Sequence, residues 1–295
     1  MEKTGFMFAG QGAQTPGMGA AMAQRNAAAL SVFKLADVIL GYSISDICFN
    51  GTMEQLTPCA VCQPAIFTVS MASRAAYLSE NDGVEPAICA GLSLGEFSAA
   101  CAAGVFDFET GLRLVAERGR LMDECCRRFP GGMAAVLGGN VEDVEDACRQ
   151  ADIDIANYNC PGQIVISGEN AALDKACELL QGKVLRTVRL NVAGAYHSRL
   201  MKVAAEAFGE VLAACPLAAP RTLFAQNVPG GIVAEVSEIR SNLQRQVASS
   251  VRWEQCARTM MEHSQRLLEF GPGNVLCGFM KRIDRTFPAS TAMTC

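Results

Sequence analysis

Short apolar runs alternate with longer amphipathic stretches along the chain, in the order typical of an α/β protein. Residues 5–9 (GFMFA) predict a buried strand, which is followed by a glycine-rich loop and a helix that runs to about Ile39. Residues 63–79 predict a second helix, 86–91 a short apolar strand, and 94–103 a helix of small residues. This succession of strand, tight turn and helix predicts a mostly parallel sheet covered by helices.

The middle of the chain has a different order of elements. Residues 133–192 predict strand, helix, strand, strand, helix, strand, which is the ferredoxin-like order. The predicted strands are 133–139, 153–159, 163–168 and 183–192, and the predicted helices are 141–150 and 170–182. We interpret this stretch as a subdomain inserted into a larger one, with the large α/β domain at 1–130 and 198–295 and the insert at 131–197.

The pattern returns to α/β after the insert. Helices are predicted near 199–214 and 238–247 and over 254–263, and the apolar run LLEF (267–270) predicts a further strand. A GPGN loop then leads into a last helix from about Val275.

Composition narrows the classes of function. Apolar residues make up 50% of the 295 residues and charged residues 19%, which supports a packed core and excludes a disordered chain. A formal net charge of −5 with scattered basic residues argues against a nucleic-acid-binding protein. No uncharged stretch looks like a membrane span and the first residues lack a signal segment, so we expect a cytoplasmic protein.

The chain contains fourteen cysteines, which we expect to be reduced thiols packed among apolar residues. Cys59 and Cys62 form a single CxxC motif. Because there is no second such motif and no nearby histidine, we predict no metal site.

Gly91, Ser93 and Gly95 form a G-x-S-x-G motif between a predicted strand and a predicted helix. Two glycines allow the chain to turn sharply, so that the serine hydroxyl projects from the turn. The start of the next helix offers free N–H groups and the positive end of its dipole. The motif predicts a nucleophilic serine, and a glycine-rich turn without chemistry is the alternative.

A serine nucleophile needs a base, and the chain has only two histidines. His263 lies at the end of a predicted helix, where a capping role accounts for it. His197 lies where a predicted strand gives way to a helix and is the better candidate, although a loop histidine bonded to backbone is the alternative. No Asp or Glu is close to it in sequence, so its orienting partner is either a distant acid or a backbone carbonyl.

Arg118 lies on the apolar face of the predicted helix 109–128, opposite the other charged residues of that helix. A buried cation needs an anion or polar partners. One possibility is an ion pair with an internal Asp or Glu. The other is a receptor for a substrate carboxylate, which a guanidinium binds through two parallel hydrogen bonds.

Taken together, these motifs resemble the malonyl-CoA:acyl-carrier-protein transacylases, the acyltransferases of fatty-acid and polyketide synthesis. The resemblance covers nearly the whole chain, and its motifs occur in the family's order. They are FAGQGAQ (8–14), QPA (63–65), GLSLGE (91–96), RG (118–119), NYN with PGQ (157–163), YHS (196–198), RQ (245–246) and EFGPG (269–273). The resemblance implies an α/β hydrolase-like core with a ferredoxin-like insert.

The resemblance also implies a role for each site residue. Ser93 is the nucleophile, His197 the base, and Arg118 the receptor for the malonyl carboxylate. The backbone N–H groups of Gln11 and Leu94 form the oxyanion hole. The implied His-orienting group is the carbonyl of Gln246, so that no acid is needed.

The implied reaction moves a malonyl group from coenzyme A to the phosphopantetheine thiol of acyl carrier protein through a malonyl-serine. No metal or other cofactor is implied, because malonyl-CoA and the carrier protein are substrates. The family further implies a monomer without nucleic-acid or membrane partners.

Three positions depart from the family's pattern. Leu92 stands where His is usual, Tyr196 where Phe is frequent, and Ser250 where Pro is usual. The first two concern acyl selectivity, and the third concerns the position of the loop that carries Gln246.

Two other functions are compatible with the same residues. One is a thioester hydrolase that uses the same Ser-His dyad, and the other is a non-catalytic protein that docks carrier protein. A cluster of basic residues near His197 is a candidate docking surface for an acidic carrier, with ordinary solvated charges as the alternative. It consists of Lys183, Arg186, Arg189, Arg199 and Lys202.

Overall fold

The computed structural model describes residues 2–292, and the strands of that part form two sheets. The strands are β1 Thr4–Phe8, β2 Ile88–Gly91, β3 Gly132–Leu137, β4 Asp154–Cys160, β5 Gln163–Gly168, β6 Arg186–Arg189, β7 Leu223–Gln226, β8 Gly231–Ile232, β9 Arg266–Phe270 and β10 Ala289–Thr291.

Helices cover both sheets. They are α1 Ala20–Arg25, α2 Ala27–Leu40, α3 Ile44–Asn50, α4 Met53–Leu56, α5 Cys59–Glu80, α6 Gly95–Ala102, α7 Phe108–Arg128, α8 Val141–Ala151, α9 Asn170–Leu179, α10 Lys202–Ala214, α11 Val236–Gln246, α12 Trp253–His263 and α13 Val275–Ile283. A 3₁₀ turn, Arg199–Met201, precedes α10. None of the helices within 2–292 combines the length and the apolar character needed to cross a bilayer.

The larger sheet has the strand order β10-β9-β1-β2-β7-β8. Neighbouring strands within this sheet are parallel, except for the antiparallel pair β7 and β8. Strand β1 is buried along its whole length, as expected for a central strand with helices on both faces. The predicted α/β class with a mostly parallel sheet is confirmed.

The smaller sheet is antiparallel and has the order β4-β5-β3-β6. With α8 and α9 it forms the predicted ferredoxin-like sequence of elements. Strand β6 is shorter than the predicted 183–192, because residues 180–184 form a turn after α9. The domain boundaries placed at 130/131 and 197/198 stay a prediction.

Several other predicted elements differ from the structure. The helix predicted to end at Ile39 is interrupted at Asn26, whose extended backbone ends α1 and whose side chain caps α2. The helix predicted at 63–79 begins at Cys59 and carries Pro64 near its start. Strands β7, β8 and β10 were not predicted. They have two to four residues each, too few for alternation to be recognised.

A short segment after α11 joins the two sheets. The N–H of Val251 donates to the carbonyl of Ala156 at 2.8 Å, and the N–H of Tyr158 donates back to the carbonyl of Val251 at 2.9 Å. The Ser250 hydroxyl donates to the carbonyl of Ile155 at 2.5 Å. Strand β4 is thereby held beside the loop that follows Gln246.

Candidate active site

Ser93 lies in the turn between β2 and α6, with a backbone φ of 51° in the left-handed region. The turn has no room for side chains at its two glycines. A Cβ at Gly91 would lie 2.0 Å from the carbonyl carbon of Gly95, and one at Gly95 would lie 2.1 Å from the carbonyl oxygen of Phe8. The Ser93 N–H donates to Asn227 Oδ1 at 2.7 Å, which fixes the strained turn from outside.

His197 faces the serine. Its Nε2 lies 2.7 Å from Ser93 Oγ, and its Nδ1 lies 2.8 Å from the carbonyl oxygen of Gln246. Since a carbonyl only accepts, Nδ1 carries the proton, and the Nε2 lone pair accepts from the serine hydroxyl. The sequence left two orienting partners open for His197, a distant acid and a backbone carbonyl. The structure shows the backbone carbonyl of Gln246 in that place.

Burial, and then the positive charge of Arg118, lower the pKa of His197 to about 4. Hydrogen bonds to the backbone of Gln246 and Ser249 act in the opposite direction and are weaker. The imidazole is therefore neutral at pH 7 and is able to take a proton.

Arg118 is 1% exposed, although it carries a charge. Its Nη1 donates to Gln63 Oε1 at 2.7 Å, and its Nη2 donates to Ser93 Oγ at 3.1 Å and to Gln246 Oε1 at 2.9 Å. The guanidinium also lies over the ring of Phe97, 5.4 Å from its centroid. Within residues 2–292 its Nε has no hydrogen-bond partner.

No carboxylate within residues 2–292 lies within 4.0 Å of this guanidinium. Of the two possibilities that the sequence left open, the direct internal ion pair is absent there. Arg118 is held by neutral oxygens, and burial lowers its pKa to about 10 without discharging it at neutral pH.

A buried polar network lies behind Ser93 and was missed by the sequence reasoning, which used only the carbonyl of Gln246. The Gln246 amide Nε2 donates to the carbonyl of Ser93 at 2.9 Å and to Glu96 Oε2 at 3.0 Å. The Asn227 N–H donates to the same Glu96 oxygen at 2.8 Å, and its Nδ2 donates to the carbonyl of Gly91 at 2.8 Å. The only sequence signal for Asn227 is its place after the short apolar run LFAQ of β7.

The predicted oxyanion-hole residues flank the serine. Leu94 is the N-cap residue of α6, and Gln11 lies in the loop after β1. That loop packs on the serine turn so closely that a Cβ at Gly10 would lie 2.4 Å from the carbonyl oxygen of Leu92. The backbone N–H groups of Gln11 and Leu94 donate to no protein group within 2–292. Whether they bind an oxyanion stays a prediction.

A cavity of about 610 Å³ opens in front of Ser93 and His197, within the size range of small-molecule sites. Loops of the large sheet supply one wall and the small sheet the other. Arg118 reaches the cavity through its contact with Ser93 and does not line the wall. Among the lining residues are Gln11, Leu92, Met122, Met133, Asn157, Asn159, Leu190, Asn191, Tyr196, Val275 and Phe279.

The CxxC motif lies beside this cavity. The Cys59 thiol donates to the Tyr196 hydroxyl at 3.0 Å and accepts from the Gln11 amide at 3.4 Å. Burial raises the pKa of Cys59 to about 11 and also raises that of Cys62, so both thiols stay protonated at neutral pH.

Most of the basic cluster near His197 is paired. Lys183, Arg189, Arg199 and Lys202 each lie within 4 Å of an Asp or Glu carboxylate. These pairs reduce the positive field of the surface, and its proposed docking of carrier protein stays a prediction.

A family model described as the acyl transferase domain matches residues 5–268. The chain belongs to the acyl transferase family. Within this family it is 37% identical over 292 residues to a malonyl CoA-acyl carrier protein transacylase of Bacillus subtilis, covering 97% of this chain and 92% of the relative. It is 39% identical to a polyketide biosynthesis malonyl CoA-acyl carrier protein transacylase of the same organism, covering 95% and 96%.

Solved structures agree with this membership. A structure described as MCAT from Streptococcus pneumoniae superposes with a TM-score of 0.92 at 37% identity, covering 98% of this chain and 95% of that one. A malonyl-transacylase solved in complex with a type II polyketide acyl-carrier protein gives 0.93 at 34% identity, covering 99% and 96%. The resemblance predicted from the motifs is confirmed.

Proposed function

We propose that this protein transfers a malonyl group from coenzyme A to the phosphopantetheine thiol of acyl carrier protein through a malonyl ester on Ser93. One observation carries the proposal. Ser93 Oγ donates to His197 Nε2 at 2.7 Å and accepts from Arg118 Nη2 at 3.1 Å. A nucleophile, a neutral base and a cation therefore meet at one oxygen atom beside a cavity.

In the first half of the reaction, Ser93 Oγ attacks the thioester carbonyl carbon while His197 Nε2 takes the hydroxyl proton. The N–H groups of Gln11 and Leu94 stabilise the oxyanion, and a single donor of this kind contributes roughly 10²–10³ in rate. The C–S bond then breaks, and the coenzyme A sulfur leaves with the proton from His197.

The second half runs the same steps with a new nucleophile. The phosphopantetheine thiol gives its proton to His197 Nε2 and attacks the ester carbonyl of malonyl-Ser93. The C–O bond breaks, and Ser93 Oγ recovers the proton. Because one thioester is exchanged for another, we expect the overall reaction to be reversible and its kinetics to be ping-pong.

Arg118 is the proposed receptor for the free carboxylate. Once Ser93 is acylated, its oxygen no longer needs the hydrogen bond from Nη2, and Nε of the same guanidinium, which has no partner within residues 2–292, adds a second donor. These two donors suit a carboxylate, so malonyl is favoured over neutral acyl groups.

The partners and setting belong to the same proposal. A similar malonyl-transacylase is solved with an acyl-carrier protein, which supports that partner here. We further propose a cytoplasmic monomer without nucleic-acid or membrane partners, in keeping with its acidic charge and fourteen cysteines. No cofactor is needed, because the serine, the histidine and the two thiol substrates account for every bond made and broken.

Mass spectrometry tests the proposal directly. Wild-type protein incubated with malonyl-CoA alone should gain about 86 Da on the peptide that carries Ser93, as covalent catalysis requires. Ser93→Ala should gain nothing. The matched control is Ser98→Ala, which removes another buried hydroxyl in α6 and should leave the adduct intact.

Added acyl carrier protein should then remove the adduct and gain the same mass. An adduct that decays at the same rate with and without carrier would identify a thioester hydrolase instead. No adduct in the wild-type protein would leave only a docking role.

A further inference from the structure

Glu96 is a carboxylate with 0% exposure that the proposed reaction does not use. It lies in the first turn of α6, three residues after the serine. It accepts hydrogen bonds from the N–H of Asn227 at 2.8 Å, from Gln246 Nε2 at 3.0 Å and from Gln226 Nε2 at 2.9 Å. A carboxylate that is completely buried is rare unless it has charged or hydrogen-bonding partners.

A single amide joins this anion to the active-site cation. Gln246 Oε1 accepts from Arg118 Nη2 at 2.9 Å, while Gln246 Nε2 donates to Glu96 Oε2 at 3.0 Å. The other groups facing Nε2 are also acceptors, namely the carbonyl of Ser93 and Asn227 Oδ1. The amide therefore has one allowed orientation, since the reverse would oppose donor to donor at Arg118 and acceptor to acceptor at Glu96.

This arrangement offsets the charge of Arg118 and leaves its carboxylate-binding positions open. A direct ion pair would satisfy Arg118 and occupy the positions at which a substrate carboxylate binds. Glu96 lies one amide farther away, so its charge offsets that of Arg118, while the oxygens that accept from the guanidinium within residues 2–292 are all neutral. An incoming carboxylate would be attracted by Arg118 and repelled by Glu96.

We propose that Glu96 is a positioning residue of the carboxylate site, which acts through Gln246 to orient Arg118 and to weaken its hold on the substrate carboxylate. The inference rests on the proposed function, because it takes Arg118 as the carboxylate receptor. The repulsion keeps the malonyl group bound loosely enough to leave on the carrier protein.

A purely structural role for Glu96 makes the opposite prediction. If the carboxylate only holds the serine turn and β7 together, replacing it should disturb the site and weaken binding of carboxylates. If it is a counter-charge, removing the charge should strengthen their binding, despite the one hydrogen bond that Gln226 Nε2 loses when an amide nitrogen faces it. The direction of the change therefore separates the two roles.

The charge of Glu96 can also be removed by pH. The charged and titratable groups that face it are Arg118 from α7 and the Cys256 thiol from α12, and its other partners are neutral amides or a backbone N–H. Burial raises the pKa of Cys256, so that thiol stays neutral. Burial raises the pKa of Glu96 to about 7, so its charge is largely present at pH 8.5 and largely absent at pH 6.

The experiment compares wild type with Glu96→Gln, and uses Glu269→Gln as the matched control. Glu269 is also buried, but it caps α13 and has no link to Arg118. KM and kcat are measured with malonyl-CoA and with acetyl-CoA, together with the dissociation constant of acetate as a minimal carboxylate.

At pH 8.5, Glu96→Gln should lower KM for malonyl-CoA and the dissociation constant of acetate by about tenfold, on the order expected for one charge removed at short range in a protein. KM for acetyl-CoA should stay within about twofold. At pH 6, wild type and Glu96→Gln should have the same KM for malonyl-CoA and the same dissociation constant for acetate. Because α13 supplies Val275 and Phe279 to the cavity wall, Glu269→Gln should change both KM values by the same factor and leave the malonyl-to-acetyl ratio at the wild-type value at both pH values.

Weaker binding of acetate and of malonyl-CoA by Glu96→Gln, or an effect of equal size at both pH values, would overturn the inference. If Glu96→Gln does not fold, the wild-type protein decides: its acetate dissociation constant should rise about tenfold between pH 6 and pH 8.5, and a constant value would overturn the inference. Acetate binding needs no turnover, so the outcome is separate from that of the proposed malonyl transfer.

Discussion

At the scale of single residues, Ser93 and His197 share an uncommon backbone. Both have φ near +55°, a region that side-chain-bearing residues rarely occupy, and each is held there by contacts from distant segments. Asn227 Oδ1 accepts from the N–H of Ser93, and the carbonyl of Gln246 accepts from the imidazole of His197. Strain at both of these positions is consistent with a site whose geometry is set before substrate arrives.

The pH dependence of the rate tests the state of His197. Because its pKa is lowered to about 4, kcat/KM for acetyl-CoA should be flat near neutrality and fall only as pH approaches 4. Arg118→Ala removes a charge that lowers this pKa, so the fall should begin at higher pH. Arg113→Ala, an exposed change on the same helix, is the control and should leave the profile unchanged. A fall in the wild-type kcat/KM centred near the ordinary histidine pKa of about 6.5 would contradict this account.

Arg118→Ala also tests acyl selectivity. We expect malonyl transfer to fall by about 10²-fold or more, since a bidentate charged contact is lost, and acetyl transfer to fall much less. Competition between malonyl-CoA and acetyl-CoA in one reaction measures the ratio. An unchanged ratio would mean that Arg118 only fills the core between Gln63 and Gln246.

At the scale of elements, the strand–turn–helix around Ser93 was predictable because its requirements are local. Two glycines bracket the serine, and the structure leaves no space for a Cβ at either. The helix that carries Arg118 was equally clear, since its charged residues repeat on one face. Strand β7, which supplies Gln226 and leads to Asn227, was missed because four residues carry too little pattern.

Gly91→Ala tests the turn. The new Cβ would meet the backbone of Gly95 at 2.0 Å, so the turn must shift, and we expect a loss of about 3 kcal/mol or more in unfolding free energy together with loss of the acyl adduct. The matched control is Gly278→Ala in α13, where a Cβ has nothing within 4 Å. That change should leave the free energy of unfolding unchanged or raise it by up to about 1 kcal/mol. Chemical denaturation measures both, and equal effects would refute the steric argument.

At the scale of the whole molecule, the site exists because two sheets meet. The larger sheet presents Ser93 and Gln11, and the smaller one closes the cavity with Met133 and Asn157. The segment after Gln246 pairs with β4, so the residue that orients His197 is fixed to both sheets. Ser250, which departs from the family's proline, contributes a hydroxyl to this joint.

Ser250→Ala tests the joint. Loss of one hydrogen bond should cost about 1 kcal/mol and lower hydrogen-exchange protection of the Val251 and Tyr158 amides. Ser264→Ala loses a similar bond, at 2.7 Å, from the end of α12 to Met260 in the same helix. It should destabilise by a similar amount without changing those two amides. Equal exchange in both variants would show that the serine does not couple the sheets.

The sequence by itself determined what depends on neighbours in the chain. It determined the serine turn, the face of the helix that carries Arg118 and the ferredoxin-like order of elements, because glycine requirements and periodicity act over a few residues. Only the tertiary structure decided which groups meet across long separations. His197 reaches Ser93 over 104 positions, and Gln246 reaches Arg118 over 128. Glu96 was visible in the sequence only as the last residue of the GLSLGE motif, with no role assigned to it. Its link to Arg118 runs through Gln246 and depends on how α6, α7 and α11 come together, which no local pattern encodes.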